Sequence, residues 1–303
     1  MRPTDVTSLN TRFGISGQIE FTAGPGGPVV AQVRNTHGAA TIALQGAHVM
    51  TWAPLGEEPV IWLSPAAKLA PGKSIRGGVP ICWPWFGPHA TESKFPGHGF
   101  ARTVPWEILK TETLADGATR LTFQLAESDA TRAQWPYPSE VTCQITVGKT
   151  LEIDLVTRNT GQTPITIGDA LHTYFQVRDI RQVTIRGLEG CPYLDKVEDG
   201  KRKQQQGPVV ISAETDRIYL NSSADCLIED LGLKRLIRIA KRGSRSTVVW
   251  NPWIEKAAKM GDFGDDGYLR MLCVESANCA DDVVSLPPQG EHHLWVRYSV
   301  ERL

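Results

Sequence analysis

Long hydrophobic runs are missing from this sequence of 303 residues, and no stretch approaches the ~20 apolar residues that cross a bilayer. The N-terminal residues MRPTDVTSLNTRFG contain no apolar signal core, so we expect a cytoplasmic protein without a membrane partner. The formal net charge of −1 at pH 7 gives no indication of nucleic acid as a partner. A positively charged binding site must therefore arise from local clustering.

Closely spaced cysteines are also absent. The six cysteines are scattered and form no CxxC pair: Cys82, Cys143, Cys191, Cys226, Cys273 and Cys279. Disulfide frameworks are dense and occur in short secreted chains, and structural zinc sites need closely spaced ligands. We therefore expect free, mostly buried thiols. The chain has no dinucleotide-binding or metal-binding motif, which predicts a protein without a cofactor.

Helical periodicity is weak, whereas alternation of apolar and polar residues recurs. Residues 141–159 contain two alternating runs around Gly148 and Lys149, which predicts a β-hairpin. Residues 293–300 alternate in the manner of a half-buried antiparallel strand. Shorter strands are predicted at residues 42–44, 121–125, 165–167, 183–185, 236–239 and 247–250, and one short helix at residues 254–260.

Turn-forming residues separate these runs, since most of the 28 glycines and 20 prolines fall between them. Many short strands with such connections favour an all-β sandwich or barrel over a parallel α/β sheet. The chain shows no linker, internal repeat or change of composition. We therefore predict a single domain over residues 1–303.

Two arginines stand in glycine-rich loops. Arg76 precedes two glycines that allow a close turn, and Arg102 follows His98 by four residues. A pair of guanidinium groups can grip a phosphate through charge-assisted hydrogen bonds. By spacing alone, surface arginines paired with carboxylates are the simpler interpretation of the same residues.

Histidines and carboxylates supply the candidate proton-transfer groups. His172 follows an apolar run and precedes two aromatic residues, so we expect it at the edge of a packed sheet with a tunable pKa. Glu275 lies among small and apolar residues, where a carboxylate is either an ion-pair partner or a general base. Asp169 is a candidate for orienting His172. His48 is expected to be a packed core residue.

Two further features each allow two interpretations. Asp216 has Arg217 beside it, so a local ion pair is the simpler interpretation of that carboxylate. Four of the nine tryptophans lie in or next to the unusual loops: Trp83, Trp85, Trp250 and Trp253. Their faces suit either the C–H face of a sugar ring or the protein core.

Six segments occur in an order that is similar to a known family. They are RGGVPICWPWFGPH, HGFAR, LHTYFQV, TDRIYLN, VWNPW and VESAN, and the shorter pieces QGAHV and WPYPSE also fit. Together they resemble the glucose-6-phosphate 1-epimerase family, the hexose-6-phosphate mutarotases of the galactose-mutarotase-like superfamily. Each segment is weakly specific, but their common order over residues 45–278 makes the resemblance specific.

The resemblance implies a galactose-mutarotase-like β-supersandwich, mostly antiparallel and with few short helices. It places the catalytic histidine and glutamate of the family on His172 and Glu275. It also implies substrate-binding roles for four residues: Arg76, Arg102, Asp216 and His98, the histidine of HGFAR. One position departs from the pattern, because Gly97 stands where some relatives carry a side-chain amide.

The expected activity is therefore that of an isomerase that interconverts the α and β anomers of glucose 6-phosphate or a related hexose 6-phosphate. We expect a monomer whose partner is a small sugar phosphate. Three alternatives remain: a mutarotase for unphosphorylated aldoses, a carbohydrate-binding protein without turnover, and a glycoside hydrolase or lyase. A hydrolase needs two carboxyl groups about 5–9 Å apart, for which Glu275 and Asp216 are candidates.

Overall fold

A computed structural model describes residues 5–24 and 26–303. Its strands, in chain order, are β1 (Ile19–Ala23), β2 (Val29–Asn35), β3 (Gly38–Ala43), β4 (His48–Pro54), β5 (Ile81–Cys82), β6 (Trp106–Thr113), β7 (Thr119–Leu125), β8 (Ser139–Val147), β9 (Leu151–Asn159), β10 (Ile165–Ile167), β11 (Asp169–Leu171), β12 (Tyr174–Gln176), β13 (Val183–Arg186), β14 (Pro192–Asp195), β15 (Lys201–Gln204), β16 (Thr215–Tyr219), β17 (Cys226–Asp230), β18 (Arg235–Arg242), β19 (Ser246–Asn251), β20 (Met271–Asn278), β21 (Val284–Leu286) and β22 (Glu291–Arg302). The α-helices are α1 (Val6–Phe13), α2 (Asp129–Gln134), α3 (Trp253–Ala258) and α4 (Gly267–Arg270).

Two eight-stranded sheets dominate the architecture. The site sheet has the order β15-β14-β16-β19-β20-β11-β5, and β12 also pairs with β20. The back sheet has the order β13-β17-β18-β22-β9-β8-β7-β6. A four-stranded sheet (β1–β4) and the pair β10–β21 complete the fold, and every strand ladder of the described chain is antiparallel.

The main hydrophobic core joins the inner faces of the two large sheets. Val274 of β20 belongs to the same buried cluster as Leu155 of β9 and Val296 of β22. Phe175 of β12 packs edge-on against Tyr298 of β22 with ring centroids 5.1 Å apart. Because strand side chains alternate between faces, the site sheet presents its other residues on the opposite, outer face.

The all-β, mostly antiparallel prediction is confirmed. The predicted hairpin forms between β8 and β9, where Val147 pairs with Leu151 across the turn. Every other predicted strand lies wholly or mostly within an observed one, and the helix predicted at residues 254–260 is α3. All six cysteines are free, five of them buried and Cys191 partly so.

Helices α1, α2 and α4 were not predicted. The carboxylate of Asp5 caps α1 by accepting from the backbone N–H of Ser8 at 2.9 Å, and Ser128 and Thr131 form a capping box for α2. These helices have only four to eight residues, too short for a clear periodic pattern, and local caps define α1 and α2. Within residues 5–24 and 26–303, no helix is long and apolar enough to cross a membrane.

Candidate active site

Glu275 lies at the centre of the outer face of the site sheet. On strand β20, Leu272, Val274 and Ser276 alternate with residues that point away from the main core. Cys273 and Ala277 belong to two small outer clusters, so Glu275 between them faces the same side. Its carboxylate is 1% exposed.

His172 faces Glu275 across the sheet. Strand β11 pairs with β20 up to Leu171, and β12 resumes pairing at Tyr174 in the same register. His172 occupies the short gap between β11 and β12, and its backbone N–H donates to the carbonyl of Pro80 at 3.0 Å. The register therefore places His172 and Glu275 opposite each other on adjacent antiparallel segments.

The two side chains meet at 3.3 Å between His172 Nδ1 and Glu275 Oε1. The contact lacks hydrogen-bond alignment, and both His172 Nδ1 and Glu275 Oε2 are buried without a hydrogen-bond partner. Unpaired buried polar atoms are costly and call for a functional explanation. The His172 side chain remains 12% exposed, so the pair can be reached from solvent.

Burial shifts the two pKa values in opposite directions. Desolvation, assisted by the nearby His98 and Arg102, holds the pKa of His172 well below its ordinary value. Desolvation and the neighbouring Asp216 raise the pKa of Glu275 well above its ordinary value, and Arg102 opposes that rise. Between those two values the pair holds one proton, and burial favours the neutral arrangement with the proton on Glu275.

Aromatic rings surround the imidazole of His172. Tyr174 stacks on it with centroids 5.0 Å apart and planes at 11°. Trp250 packs edge-on at 6.0 Å, and the His98 ring lies 5.8 Å away. Trp250 thus forms a wall of the site, whereas Trp83 is a core residue that is 1% exposed.

Asp216 lies near the pair, in the neighbouring row of cross-strand partners on the same face of the site sheet. It pairs with Trp250 in the ladder between β16 and β19, and it is partly buried. Burial raises its pKa, and Lys256 opposes that rise. The simpler interpretation of a local ion pair with Arg217 is not realised, because that guanidinium lies over the ring of Tyr193 at 5.0 Å.

Arg76 reaches the site through a tight glycine turn. Gly77 and Gly78 have φ of +103° and +70°, and a β-carbon on Gly78 would lie 2.1 Å from Nε2 of His48. Arg76 Nε contacts Asp262 Oδ1 at 3.1 Å, and Nη1 donates to the Tyr174 hydroxyl at 3.1 Å. The ion-pair interpretation of Arg76 therefore holds for its Nε. Its Nη1 instead contacts Tyr174, the residue whose ring stacks on His172.

Arg102 has more unused donors. Its Nη2 donates to the carbonyl of Gly97 at 2.8 Å, while Nε is buried without a partner. Gly97 thus contributes its backbone to this contact, and a β-carbon there would meet only the carbonyl oxygen of Gly87, at 3.8 Å. The position has room for a side chain, so its glycine is not demanded by packing.

His98 is held by the backbone of the neighbouring loop. The backbone N–H of His98 donates to the carbonyl of Gly87 at 2.6 Å, and its ring Nδ1 accepts from the backbone N–H of Gly87 at 3.3 Å. Burial and then Arg102 lower its pKa to about 4. The ring is therefore neutral near pH 7 with its proton on Nε2, which leaves one donor for a ligand.

The orienting role considered for Asp169 is not supported by any contact with His172. Asp169 pairs with Asn278 in the ladder between β11 and β20, and its Oδ2 lies 3.9 Å from Nε2 of His292. Burial raises its pKa to about 8. His48 is a packed core residue as predicted, since it is fully buried and its Nε2 contacts the Gly77 carbonyl at 2.9 Å.

Three residues beside the proton-transfer pair were not singled out from the sequence. Tyr174 and Cys273 each lie two positions from His172 or Glu275, so strand alternation alone places them on the same face. Asp262 comes from a loop without regular structure, and no sequence signal linked it to Arg76.

An antiparallel sandwich with a buried imidazole–carboxylate pair, an aromatic wall and two arginines has the features of an acid–base enzyme for a polyhydroxylated substrate. The family model described as "Aldose 1-epimerase" matches residues 30–299. The chain belongs to the aldose 1-epimerase family, and the resemblance found in the sequence is confirmed.

Individual relatives agree with this assignment. A protein of Escherichia coli (strain K12), provisionally assigned as a glucose-6-phosphate 1-epimerase, is 43% identical over 243 residues, or 80% of each chain. A protein of Cenchrus ciliaris with the same provisional assignment is 36% identical over 263 residues, covering 83% of this chain and 78% of the relative. The crystal structure of YeaD from Salmonella typhimurium, provisionally a mutarotase, superposes with a TM-score of 0.89 at 36% identity over 96% of both chains. The mutarotase-like fold is therefore confirmed.

Proposed function

We propose that this protein is a hexose-6-phosphate mutarotase, an isomerase that interconverts the α and β anomers of D-glucose 6-phosphate or a related aldohexose 6-phosphate. The observation that carries the proposal is the 3.3 Å contact between His172 Nδ1 and Glu275 Oε1, on a face that also receives Arg76 and Arg102. The provisional assignments of the relatives from Escherichia coli and Cenchrus ciliaris support the same substrate.

Anomer exchange requires an open-chain aldehyde. The reaction starts from the charged form of the pair, in which the shared proton resides on His172 and Glu275 is ionised. Glu275 takes the proton of the anomeric hydroxyl, a carbonyl forms at C1, the bond from C1 to the ring oxygen breaks, and His172 protonates that oxygen. The aldehyde end rotates, and the ring closes on its other face with the two roles reversed.

The shifted pKa values fit this cycle. After ring opening Glu275 is protonated and His172 is neutral, which is the state that burial favours. The protein environment therefore stabilises the form of the pair that coexists with the open-chain aldehyde. Each positioned proton transfer typically accelerates a reaction by about 10²–10⁴-fold.

The remaining groups hold the sugar. Asp216 accepts hydrogen bonds from ring hydroxyls, Trp250 offers an apolar wall, and His98 donates from Nε2. Arg102 is the principal phosphate ligand, because one of its nitrogens is engaged, by the Gly97 carbonyl, whereas two nitrogens of Arg76 are engaged by Asp262 and Tyr174. Phosphate binding remote from C1 orients the ring for reaction.

The proposal includes a monomeric, cytoplasmic enzyme without a cofactor, since proton transfer alone accounts for the chemistry. A second candidate is an aldose 1-epimerase for unphosphorylated sugars. The ion pair between Arg76 and Asp262 favours it, because it neutralises one of the two cations meant for a phosphate.

NMR exchange spectroscopy of the anomeric protons tests both candidates with glucose 6-phosphate and glucose side by side. We expect kcat/KM to be higher for the phosphorylated sugar. Equal values for the two sugars would favour the second candidate, and an absence of exchange with any aldose would overturn the proposal.

A further inference from the structure

Cys273 brings a thiol to the proton-transfer pair. It precedes Glu275 by two residues on β20 and therefore shares its face, next to Tyr174 in the ladder with β12. One ligand atom from each of Cys273, Glu275 and His172 lies within 4.8 Å of the other two. The thiol is fully buried and has no part in the proposed reaction.

Thiolate, imidazole and carboxylate are the side chains that bind Zn²⁺, usually in tetrahedral geometry. Three protein ligands leave a fourth position open, as in zinc sites that also hold water or substrate. The lone pairs needed are unengaged, because His172 Nδ1 and Glu275 Oε2 are buried without hydrogen-bond partners. To bind the ion, the three ligand atoms must move from mutual separations of up to 4.8 Å to about 3.5 Å, because the lengths of Zn–N and Zn–S bonds set that distance.

We propose that His172, Cys273 and Glu275 form an inhibitory binding site for a thiophilic divalent cation, with Zn²⁺ as the fitting ion. The bound ion occupies the nitrogen and oxygen atoms that transfer protons and thereby stops anomerisation. Inhibition rests on the proposed function, whereas ion binding does not. Coordination displaces the thiol proton of Cys273 and the proton that the resting pair holds on Glu275, and both pass to the buffer.

The ligand set also predicts selectivity. Mg²⁺ and Ca²⁺ prefer six or more oxygen ligands, and this cluster offers a single carboxylate with a sulfur and a nitrogen. We therefore expect no inhibition by either ion at concentrations at which Zn²⁺ inhibits completely.

Binding is tested with Co²⁺ as a spectroscopic probe, because only a thiolate ligand gives the near-ultraviolet sulfur-to-cobalt absorption. We expect one equivalent of Co²⁺ to produce that absorption in the full-length protein, and Zn²⁺ to abolish it. Cys273→Ala should lose the absorption, and Cys143→Ala, which removes a buried thiol of the back sheet, should retain it. Persistence of the absorption in Cys273→Ala, or its absence from the wild type, would overturn the site.

Inhibition is measured by the same NMR exchange assay, with and without a chelator. Cys273→Ala should keep its metal-free turnover within about fivefold and require at least about 10-fold more Zn²⁺ for half inhibition. If this variant fails to fold, Cys273→Ser replaces it. If the wild type is active and the variant is as sensitive to Zn²⁺ as the wild type, the metal site alone is overturned. An inactive wild type that still shows the cobalt absorption overturns the proposed function alone.

Discussion

His172 and Glu275 stand opposite each other in the site sheet, with Nδ1 and Oε1 3.3 Å apart, and the protein buries both. Burial disfavours the charged form of each group, so the neutral pair is the resting state. An ordinary ion pair would shift the two pKa values the other way, His172 upward and Glu275 downward. The opposite shifts distinguish a proton-sharing pair from a structural salt bridge.

The first prediction concerns removal of either proton carrier. Glu275→Gln keeps the shape of the side chain, His172→Asn keeps a polar group near the position of Nδ1, and each should lower kcat by about 10²–10⁴-fold. Because Glu275→Gln also removes a buried ionisable group, its free energy of unfolding should equal or exceed that of the wild type. NMR exchange and urea unfolding measure the two effects. Near-normal turnover in either variant would disprove the assigned role.

The second prediction concerns pH. His172 gains a second proton for the pair only well below its ordinary pKa of 6.5, and Glu275 loses the pair's proton only well above its ordinary pKa of 4.5. The acid limb of the turnover profile, where His172 gains that proton, should therefore lie well below pH 6.5. Activity should fall at lower pH, when the base is lost, and at higher pH, when the acid is lost.

The pH profile of turnover is measured in separate experiments with a saturating neutral aldose and with glucose 6-phosphate. The neutral sugar is needed because a phosphate monoester itself titrates near pH ~6. A chelator keeps the site metal-free. Loss of activity on acidification with a midpoint near pH 6.5, measured with the neutral sugar, would show that His172 titrates as an unshifted imidazole.

The third prediction separates the two arginines. Arg102→Ala should raise KM for glucose 6-phosphate by about 10–100-fold and change KM for glucose little, because it removes charge-assisted bonds to the phosphate. Arg76→Ala should have a smaller effect in the same direction, since Asp262 and Tyr174 already engage that side chain. Arg217→Lys, in the same sheet but stacked on Tyr193, is the matched control. Equal effects of Arg102→Ala on both sugars would remove the phosphate role.

Much of the sheet structure was predictable because alternation is a local property. The hairpin of β8 and β9 and the last strand follow from period-two burial of neighbouring residues. Helices α1, α2 and α4 were not predictable from periodicity, because they span only four to eight residues and capping defines α1 and α2. The order of strands within each sheet depends on pairings between distant segments, which alternation does not specify.

The site was likewise predictable in part. His172 and Glu275 were candidates by residue type and through the family resemblance, but their contact depends on how β11 and β12 pair with β20. Asp262 was out of reach of sequence reasoning, since a loop far along the chain folds back to meet Arg76. Asp169 was misplaced because proximity in sequence to His172 does not put two strand residues on one face.

The last prediction concerns Asp169, whose carboxyl is fully buried with both oxygens lacking hydrogen-bond partners. Burial raises its pKa from 3.8 to about 8, so the folded protein binds a proton that the unfolded chain releases above pH 4. The resulting penalty on folding grows as pH rises from 4 to 8. Asp169→Asn removes the titration and should raise the free energy of unfolding by about 1–3 kcal/mol at pH 7.5, and by less at pH 5. Urea unfolding at both pH values checks this, with the exposed Asp116→Asn as control. A gain that is equal at the two pH values would contradict the raised pKa, because only an ionising group makes the stability difference depend on pH.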